Sequence, residues 1–217
     1  MRRTIAVGLI VVIAAIVGIL GHQPASSSAR SMAPGVLPPL ASTPASTPGE
    51  VPRDDDGPLT ADDGVLPAGA TVFDSEYPGI GNLNADLLGA LRQAAKRAAK
   101  ERIEFDVTSG WRSAAYQDRL LREAVSKYGS VNEAARWVAT AETSPHVSGD
   151  AVDMGAGATT WLVKHGADYG LCRIYRNEPW HFELRLAAIK RGCPRMYADP
   201  THDPRMHSAP RARPAPR

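Results

Sequence analysis

The chain has 217 residues, of which 43% are hydrophobic and 22% are charged, so it is not a disordered chain throughout. Its formal net charge is +2, from 25 lysines and arginines against 23 aspartates and glutamates. This near-balance argues against a protein that binds nucleic acid by neutralising phosphates, and no nucleic-acid partner is expected.

The prolines divide the chain into one folded region and two tails. Of the 18 prolines, nine lie between Pro24 and Pro67 and five lie between Pro200 and Pro216. All four tryptophans and both cysteines fall in the stretch between these groups. That stretch is long enough for one hydrophobic core but not for two. The predicted organisation is therefore a disordered Pro/Ser/Asp-rich linker over 24–69, one compact domain over 70–197, and a disordered basic Pro/Arg tail over 198–217.

The first 23 residues predict export. Arg2 and Arg3 precede an uncharged apolar run over residues 4–20. This run is long for the core of a signal peptide and short for a membrane span, so 1–23 is either a cleaved signal peptide or a membrane anchor. In both cases the basic end stays in the cytoplasm and the remainder is exported. The protein is expected to touch a membrane only through this segment.

Apolar spacing predicts the helices of the domain. Asn84 is placed to cap the first of them, and Ser130 with Glu133 forms a capping box that opens the third. The second carries Leu120, Leu121 and Val125 on one face. The predicted helices cover residues 84–100, 114–127 and 130–138, with a short one at 160–165.

The predicted strands are shorter than the helices. Ile103, Phe105 and Val107 alternate with polar residues, as a strand requires. Three further segments have strand character, at 151–154, 171–175 and 180–184. The order of elements predicts an α+β fold, in which a small antiparallel sheet is flanked by helices in a single compact domain.

Three residues form a candidate metal-ligand set. His146, Asp153 and His181 supply two imidazoles and one carboxylate, which suits one zinc ion with a fourth position left for water. An extended chain from His146 to Asp153 would span roughly 23 Å, so the two can share a metal only if the chain folds back. The pair Ser148-Gly149 is the expected turn, because glycine tolerates a positive φ.

Glu178 is the candidate general base. It lies three residues before His181, and Pro179 between them disfavours a regular strand. We therefore expect Glu178 in a bend beside the metal-bound water rather than on the metal, where it can take a proton and pass it to the leaving amine. Either Asp150 or Glu183 can orient a histidine ligand, and the sequence does not choose between them.

The motifs of several other hydrolytic sites are absent from the sequence. The sequence contains no H-E-x-x-H, no G-x-S-x-G and no S-x-x-K, which excludes a thermolysin-like zinc site and leaves no support for a serine acyl-enzyme. Two cysteines in an exported domain predict one structural disulfide, between Cys172 and Cys193. Trp111, Trp161 and Trp180 are expected in the core rather than as substrate platforms.

Three motifs resemble those of a known family. Residues 144–153 match S-x-H-x-x-G-x-A-x-D, residues 178–181 match E-x-W-H, and residues 109–113 with Gln117 match S-G-[YW]-R-S…Q. In this order they are similar to the zinc D-alanyl-D-alanine carboxypeptidases and dipeptidases of the vancomycin-resistance type. The resemblance extends over about residues 73–184.

The resemblance implies roles for these residues. The zinc ligands would be His146, Asp153 and His181, the catalytic base Glu178, and the oxyanion-stabilising cation Arg112. Substrate contacts would come from the neighbourhoods of the two weaker candidates, Ser144 and Gln117.

The implied function is that of an exported zinc peptidase, expected to be a monomer, whose substrate is a peptidoglycan stem peptide at the cell wall. Removal of the terminal D-Ala is the expected reaction, and the export segment argues against a dipeptidase. Cleavage of an L-alanyl-D-glutamate or L,D bond, and a non-catalytic wall-binding zinc module, remain alternatives. Only Arg176 and Asn177 separate the predicted strand 171–175 from the E-x-W-H motif, so one wall of the cleft is short.

Overall fold

The computed structural model describes residues 57–207. The predictions for 1–23, for most of the linker and for residues 208–217 lie outside the described residues. Within the described part, no helix combines the length and the apolar character needed to cross a membrane.

Six helices and four strands make up the domain. The helices are α1 (Pro78–Gly81), α2 (Ala85–Ala98), α3 (Ala114–Tyr128), α4 (Val131–Ala134), α5 (Ala156–His165) and α6 (Ala188–Arg191). The strands are β1 (Val107–Ser109), β2 (Ala151–Met154), β3 (Leu171–Arg173) and β4 (His181–Leu184). Short 3-10 turns lie at Ala61–Asp63, Ala99–Glu101, Gly166–Tyr169, Pro200–His202 and Pro204–His207.

The four strands form one antiparallel sheet in the order β1-β2-β4-β3. The predicted α+β class with a small antiparallel sheet is therefore confirmed. Because successive side chains of a strand point to opposite faces, each central strand divides its residues between two environments. Val152, Met154 and Phe182 belong to the main core, whereas Asp153 and His181 lie on the other face.

Helix α2 covers the apolar face of the sheet. Asn84 caps it as predicted, since its Oδ1 accepts a hydrogen bond from the Asp86 N–H at 3.0 Å. Its buried face consists of Leu87, Leu88, Leu91, Ala94, Ala95 and Ala98. Each fully buried leucine contributes about 1.5–3 kcal/mol relative to an exposed one, so this helix is a main source of the domain's stability.

Several predicted elements differ from the structure. The third helix, α4, ends at Ala134 rather than at residue 138, and α5 begins at Ala156 rather than at residue 160. The predicted strand 103–107 pairs in the sheet only from Val107, although Phe105 is buried in the main core. In α3, the predicted apolar face is only partly buried, and the fully buried residues are Gln117 and Ala124. The reason lies in tertiary structure: α3 turns toward a polar cleft, so one of its most buried side chains is an amide.

Both ends of the folded region extend beyond 70–197. On the amino-terminal side, the hydroxyl of Ser113 donates to the Asp63 carboxylate at 3.0 Å, which ties the 3-10 turn at Ala61–Asp63 to the start of α3. On the carboxyl-terminal side, Asp199 and Asp203 are buried. Proline-rich composition indicated tails here, but polar anchors hold both segments, and Leu66 also packs against the main core.

The predicted disulfide between Cys172 and Cys193 is present. It joins β3 to the chain that follows α6, across a sequence separation of 21 residues. Cys172 packs with Ile174, Tyr175 and Ala188 in a second, smaller apolar cluster. The bridge thereby fixes the carboxyl-terminal part of the domain to the edge of the sheet.

Candidate metal centre

The register of the sheet brings two of the predicted ligands together. Asp153 on β2 is paired directly with His181 on β4. Directly opposed residues of antiparallel strands have Cβ atoms about 4.5–5.5 Å apart, so both side chains reach the same point. The Asp153 Oδ1 lies 3.2 Å from the His181 Nδ1.

A tight turn brings His146 to the same point. Gly149 has φ +75°, and its N–H donates to the His146 carbonyl at 3.1 Å. A Cβ atom at Gly149 would come within 2.5 Å of the Asn82 carbonyl oxygen, so a larger residue does not fit. The fold-back expected at Ser148-Gly149 is therefore observed.

The three ligand atoms form a nearly equilateral triangle. His146 Nε2 lies 3.2 Å from His181 Nδ1 and 3.4 Å from Asp153 Oδ1, and the third edge is 3.2 Å. A tetrahedral zinc ion with bonds of about 2.0–2.1 Å separates its ligand atoms by about 3.3–3.4 Å. The three buried residues can therefore hold one metal ion, and their spacing fits zinc.

Hydrogen bonds orient both imidazoles toward the triangle. His146 Nδ1 lies 2.8 Å from the Gly110 carbonyl oxygen, which can only accept, so Nδ1 carries the proton and Nε2 is free to bind. His181 Nε2 lies 3.3 Å from Glu183 Oε1, which leaves Nδ1 free. Of the two sequence candidates for orienting a histidine, the structure selects Glu183, because Asp150 instead accepts from Asn84 and Ser148.

The electrostatics of the triangle favour a cation. Burial by itself raises the pKa of Asp153, but the neighbouring His146, His181 and Arg112 outweigh it and hold that pKa well below its ordinary value. Burial by itself lowers the pKa of His181, but its contacts with Asp153 and Glu183 raise it to about 10. Asp153 and Glu183 are thus ionised carboxylates beside His181, and a metal ion would take the place of its proton.

Glu178 lies beside the triangle but outside it. Its Oε2 is 3.8 Å from His181 Nδ1, and it belongs to the bend that precedes β4, where sequence reasoning expected it. Its side chain is buried, and Oε1 has no hydrogen-bond partner among the described residues. Burial is the main cause that raises the pKa of Glu178 to about 7. An unpaired buried carboxylate oxygen at this place is typical of a group that meets water or substrate.

Arg112 faces Glu178 across the cleft and is held at three points. Its Nε donates to Ser109 Oγ at 2.8 Å, its Nη1 to Gln117 Oε1 at 3.1 Å and its Nη2 to Asp153 Oδ2 at 2.8 Å. A guanidinium has five N–H donors, so two are left for a ligand in the cleft. Arg112 is therefore both fixed in position and able to donate.

The two weaker candidates line the same cleft. Gln117 is 1% exposed, and its amide is used twice inside the protein, accepting from Arg112 and donating to the Ala139 carbonyl at 2.9 Å. Ser144 is also buried, and its Oγ accepts from the His146 N–H at 3.3 Å. Gln117 therefore supports Arg112, and Ser144 supports His146, through these hydrogen bonds.

The cleft has aromatic and apolar walls that the motifs did not indicate. Trp180, expected in the core, is 42% exposed and lines the cleft, and Trp137 stands at its edge as well. Pro200 and Met206 line it too, from the segment predicted to be a disordered tail. Trp161 is in the core as predicted. The tryptophan of the E-x-W-H motif was the available signal for this wall. Trp180 belongs to the same bend before β4 as Glu178, and the bend leaves the tryptophan side chain exposed.

Comparisons with known proteins agree with this geometry. The family model VanY, D-alanyl-D-alanine carboxypeptidase, matches residues 81–185. A search of curated proteins finds no match.

Similar solved structures include a mutant of the vancomycin-resistance D,D-pentapeptidase VanY in complex with Zn(II), at 26% identity over 50% of this chain and 76% of that chain, with a TM-score of 0.45. VanYB in complex with D-alanine-D-alanine has 26% identity over 50% of this chain and 75% of that chain, with a TM-score of 0.46. The L,D-carboxypeptidase DacB from Streptococcus pneumoniae has 24% identity over 51% and 71%, with a TM-score of 0.42.

The matched residues 81–185 contain the whole ligand triangle together with Glu178 and Arg112. Family model and site geometry therefore lead to the same assignment. Residues 81–185, which include the whole site, are therefore similar to the VanY family of D-alanyl-D-alanine carboxypeptidases.

Proposed function

We propose that this protein is an exported zinc D,D-carboxypeptidase that removes the terminal D-Ala from peptidoglycan stem peptides. The observation that carries the proposal is the ligand triangle of 3.2–3.4 Å edges with the unpaired carboxylate oxygen of Glu178 next to it. His146, Asp153 and His181 would hold the zinc ion, which supplies Lewis acidity to activate water and polarise a carbonyl.

Glu178 is the proposed general base. Its Oε1 accepts a proton from the attacking water and then delivers that proton to the leaving D-Ala amine, so the proton is conserved through the reaction. In the metal-free protein, burial raises the pKa of Glu178 to about 7, and a nearby zinc ion would favour the ionised form that accepts the proton.

Arg112 is the proposed stabiliser of the developing oxyanion. Arg112 lines the cleft with two N–H donors that its three hydrogen bonds leave unused, and its bond to Asp153 Oδ2 fixes it relative to the ligand triangle. A charged donor fixed before the reaction needs little reorganisation when negative charge develops on the substrate oxygen. Ser144 and Gln117 complete the proposed substrate site, with Gln117 acting at least through Arg112.

The proposed location is outside the cytoplasmic membrane, at the cell wall. The basic and apolar sequence of residues 1–23 supports export, by a signal peptide or an anchor. The disulfide between Cys172 and Cys193 supports it as well, since such bonds persist in oxidising compartments. A peptidoglycan stem peptide would be available to the enzyme there.

The test is a product analysis on a defined muropeptide. The zinc-loaded full chain is incubated with a pentapeptide stem ending in D-Ala-D-Ala, and the products are read by mass spectrometry with and without a chelator. Loss of one alanine that the chelator prevents supports the D,D-carboxypeptidase. Cleavage at another bond keeps the metal chemistry and assigns an L,D or L-alanyl-D-glutamate peptidase. Zinc binding without any product would favour a wall-binding module.

A further inference from the structure

The carboxyl-terminal segment 199–207 folds back onto the strands that carry the metal centre. It follows Tyr197, whose N–H donates to the Ile174 carbonyl at 2.9 Å and whose carbonyl accepts from the Arg176 N–H at 3.0 Å. Further along, the Tyr175 hydroxyl donates to Asp203 at 2.9 Å. The segment lies outside the matched residues 81–185, so the family model assigns it no role.

Arg205 connects this segment to Glu183, the residue that contacts the ring nitrogen of His181 outside the ligand triangle. Its Nη1 donates to Glu183 Oε2 at 2.7 Å and its Nη2 donates to Glu183 Oε1 at 3.1 Å. Asp203 holds the guanidinium from behind, since it accepts from Arg205 Nε at 3.0 Å. Glu183 is completely buried, and its Oε1 is the atom that faces His181 Nε2 at 3.3 Å.

Arg205 contacts both oxygens of Glu183 and therefore restricts how its carboxylate can turn. Arg185 also contacts Glu183, but only at Oε2, with Nη2 at 2.5 Å. Without Arg205, Glu183 Oε1 would contact only His181, the residue that Glu183 orients, whereas two parallel N–H···O bonds from Arg205 fix the plane of the carboxylate independently of His181. The orientation of the carboxylate fixes the imidazole that donates to it, and with it the direction of the free ring nitrogen.

We propose that Arg205 is a positioning residue of the metal centre: it holds both oxygens of Glu183, and Glu183 holds His181 with Nδ1 toward the ligand triangle. This inference rests on the proposed function, because it requires the triangle to bind zinc. The same segment places Pro200 and Met206 in the cleft, so anchoring by Arg205 also maintains one of its walls. Residues 199–207 thus belong to the active site and are not a tail.

The test measures metal binding by the full chain. Zinc affinity is measured by competition with a chromophoric chelator, and the ligand field is read from the visible absorption of the Co(II)-substituted chain. We expect Arg205→Gln to weaken zinc binding about 10-fold, the lower end of the loss caused by removing partners of metal-bound histidines, and to change the Co(II) spectrum. Arg205→Lys keeps the charge but not the bidentate geometry, so an intermediate loss is expected.

Arg136→Gln is the matched control. Arg136 holds the same segment through Asp199, with Nε and Oδ2 3.3 Å apart, but it does not touch Glu183. Zinc affinity and the Co(II) spectrum should therefore stay at their wild-type values in this variant. Equal losses in the Arg136 and Arg205 variants would overturn the inference, because they would indicate general loosening of the segment.

A double-mutant cycle with Glu183→Gln tests the proposed route of action. If Arg205 acts through Glu183, adding Arg205→Gln to Glu183→Gln should change zinc affinity less than 2-fold, whereas independent effects would multiply and overturn the inference. If Arg205→Gln fails to fold, Arg205→Lys decides on the same readouts. A wild-type chain that binds no zinc overturns the proposed function and this inference together. A wild-type chain that binds zinc no better than Arg205→Gln, with the same Co(II) spectrum, overturns the inference alone.

Discussion

Replacing Glu178 by glutamine should separate catalysis from stability. Burial raises the pKa of this carboxyl from its ordinary value of 4.5 to about 7 in the metal-free protein. The ionised form is therefore disfavoured in the folded state, by about 3 kcal/mol for a difference of this size. Stability is unaffected below pH 4.5, where both states are protonated, falls as the pH rises from 4.5 to about 7, and stays at the lower value above that.

Glutamine has nearly the same shape and no charge, so it removes this penalty. The zinc-free Glu178→Gln chain should be more stable than wild type at pH 8, by up to about 3 kcal/mol, and equally stable near pH 4. The zinc-loaded variant should lose turnover by about 10²–10⁴-fold, the usual contribution of a general base. Zinc affinity should be retained, because the Glu178 carboxylate lies outside the ligand triangle.

Urea denaturation of the zinc-free chain at the two pH values measures the stability difference, and product formation from the muropeptide measures turnover. The exposed Glu104 provides the control, since Glu104→Gln changes the same chemical group in water. The reasoning is refuted if Glu178→Gln is no more stable than wild type at pH 8. Unchanged turnover would refute the role of Glu178 as base.

Three further substitutions follow from the same structure. Gln117→Leu removes the buried acceptor of an Arg112 hydrogen bond, so we expect the free energy of unfolding to fall by about 1–3 kcal/mol and kcat to change more than KM. Denaturation and steady-state kinetics measure the two effects, and an unchanged kcat would contradict the expectation. Replacing Cys172 and Cys193 by alanine opens a loop of 21 residues, which should cost about 3 kcal/mol in urea denaturation, and a loss below 1 kcal/mol would count against it. Gly149→Ala forces a side chain into a backbone with φ +75° and against a carbonyl oxygen, so both the stability and the zinc affinity of the chain should fall. Wild-type affinity in a zinc titration would contradict the role of this turn in placing His146.

Elements with local signals were predictable from the sequence. The Asn84 cap was predictable because its side chain accepts a hydrogen bond from an N–H only two residues further along the chain. The turn at Gly149 was predictable because few residues tolerate its backbone conformation. The motif residues His146, Asp153 and His181 were identifiable because metal ligands need particular donor atoms.

The contacts between these residues, and the residues that support them, depend on the tertiary structure and could not be predicted. Glu183 and Asp150 were equal candidates until the structure placed Glu183 Oε1 3.3 Å from His181 Nε2 and Asp150 against Asn84 and Ser148. Nothing local marked Arg205, because its contact with Glu183 joins residues 22 positions apart in the chain. The composition of the last segment indicated disorder, because the segment has few apolar side chains to bury. Residues 199–207 are ordered instead by buried ion pairs and hydrogen bonds, which composition does not reveal.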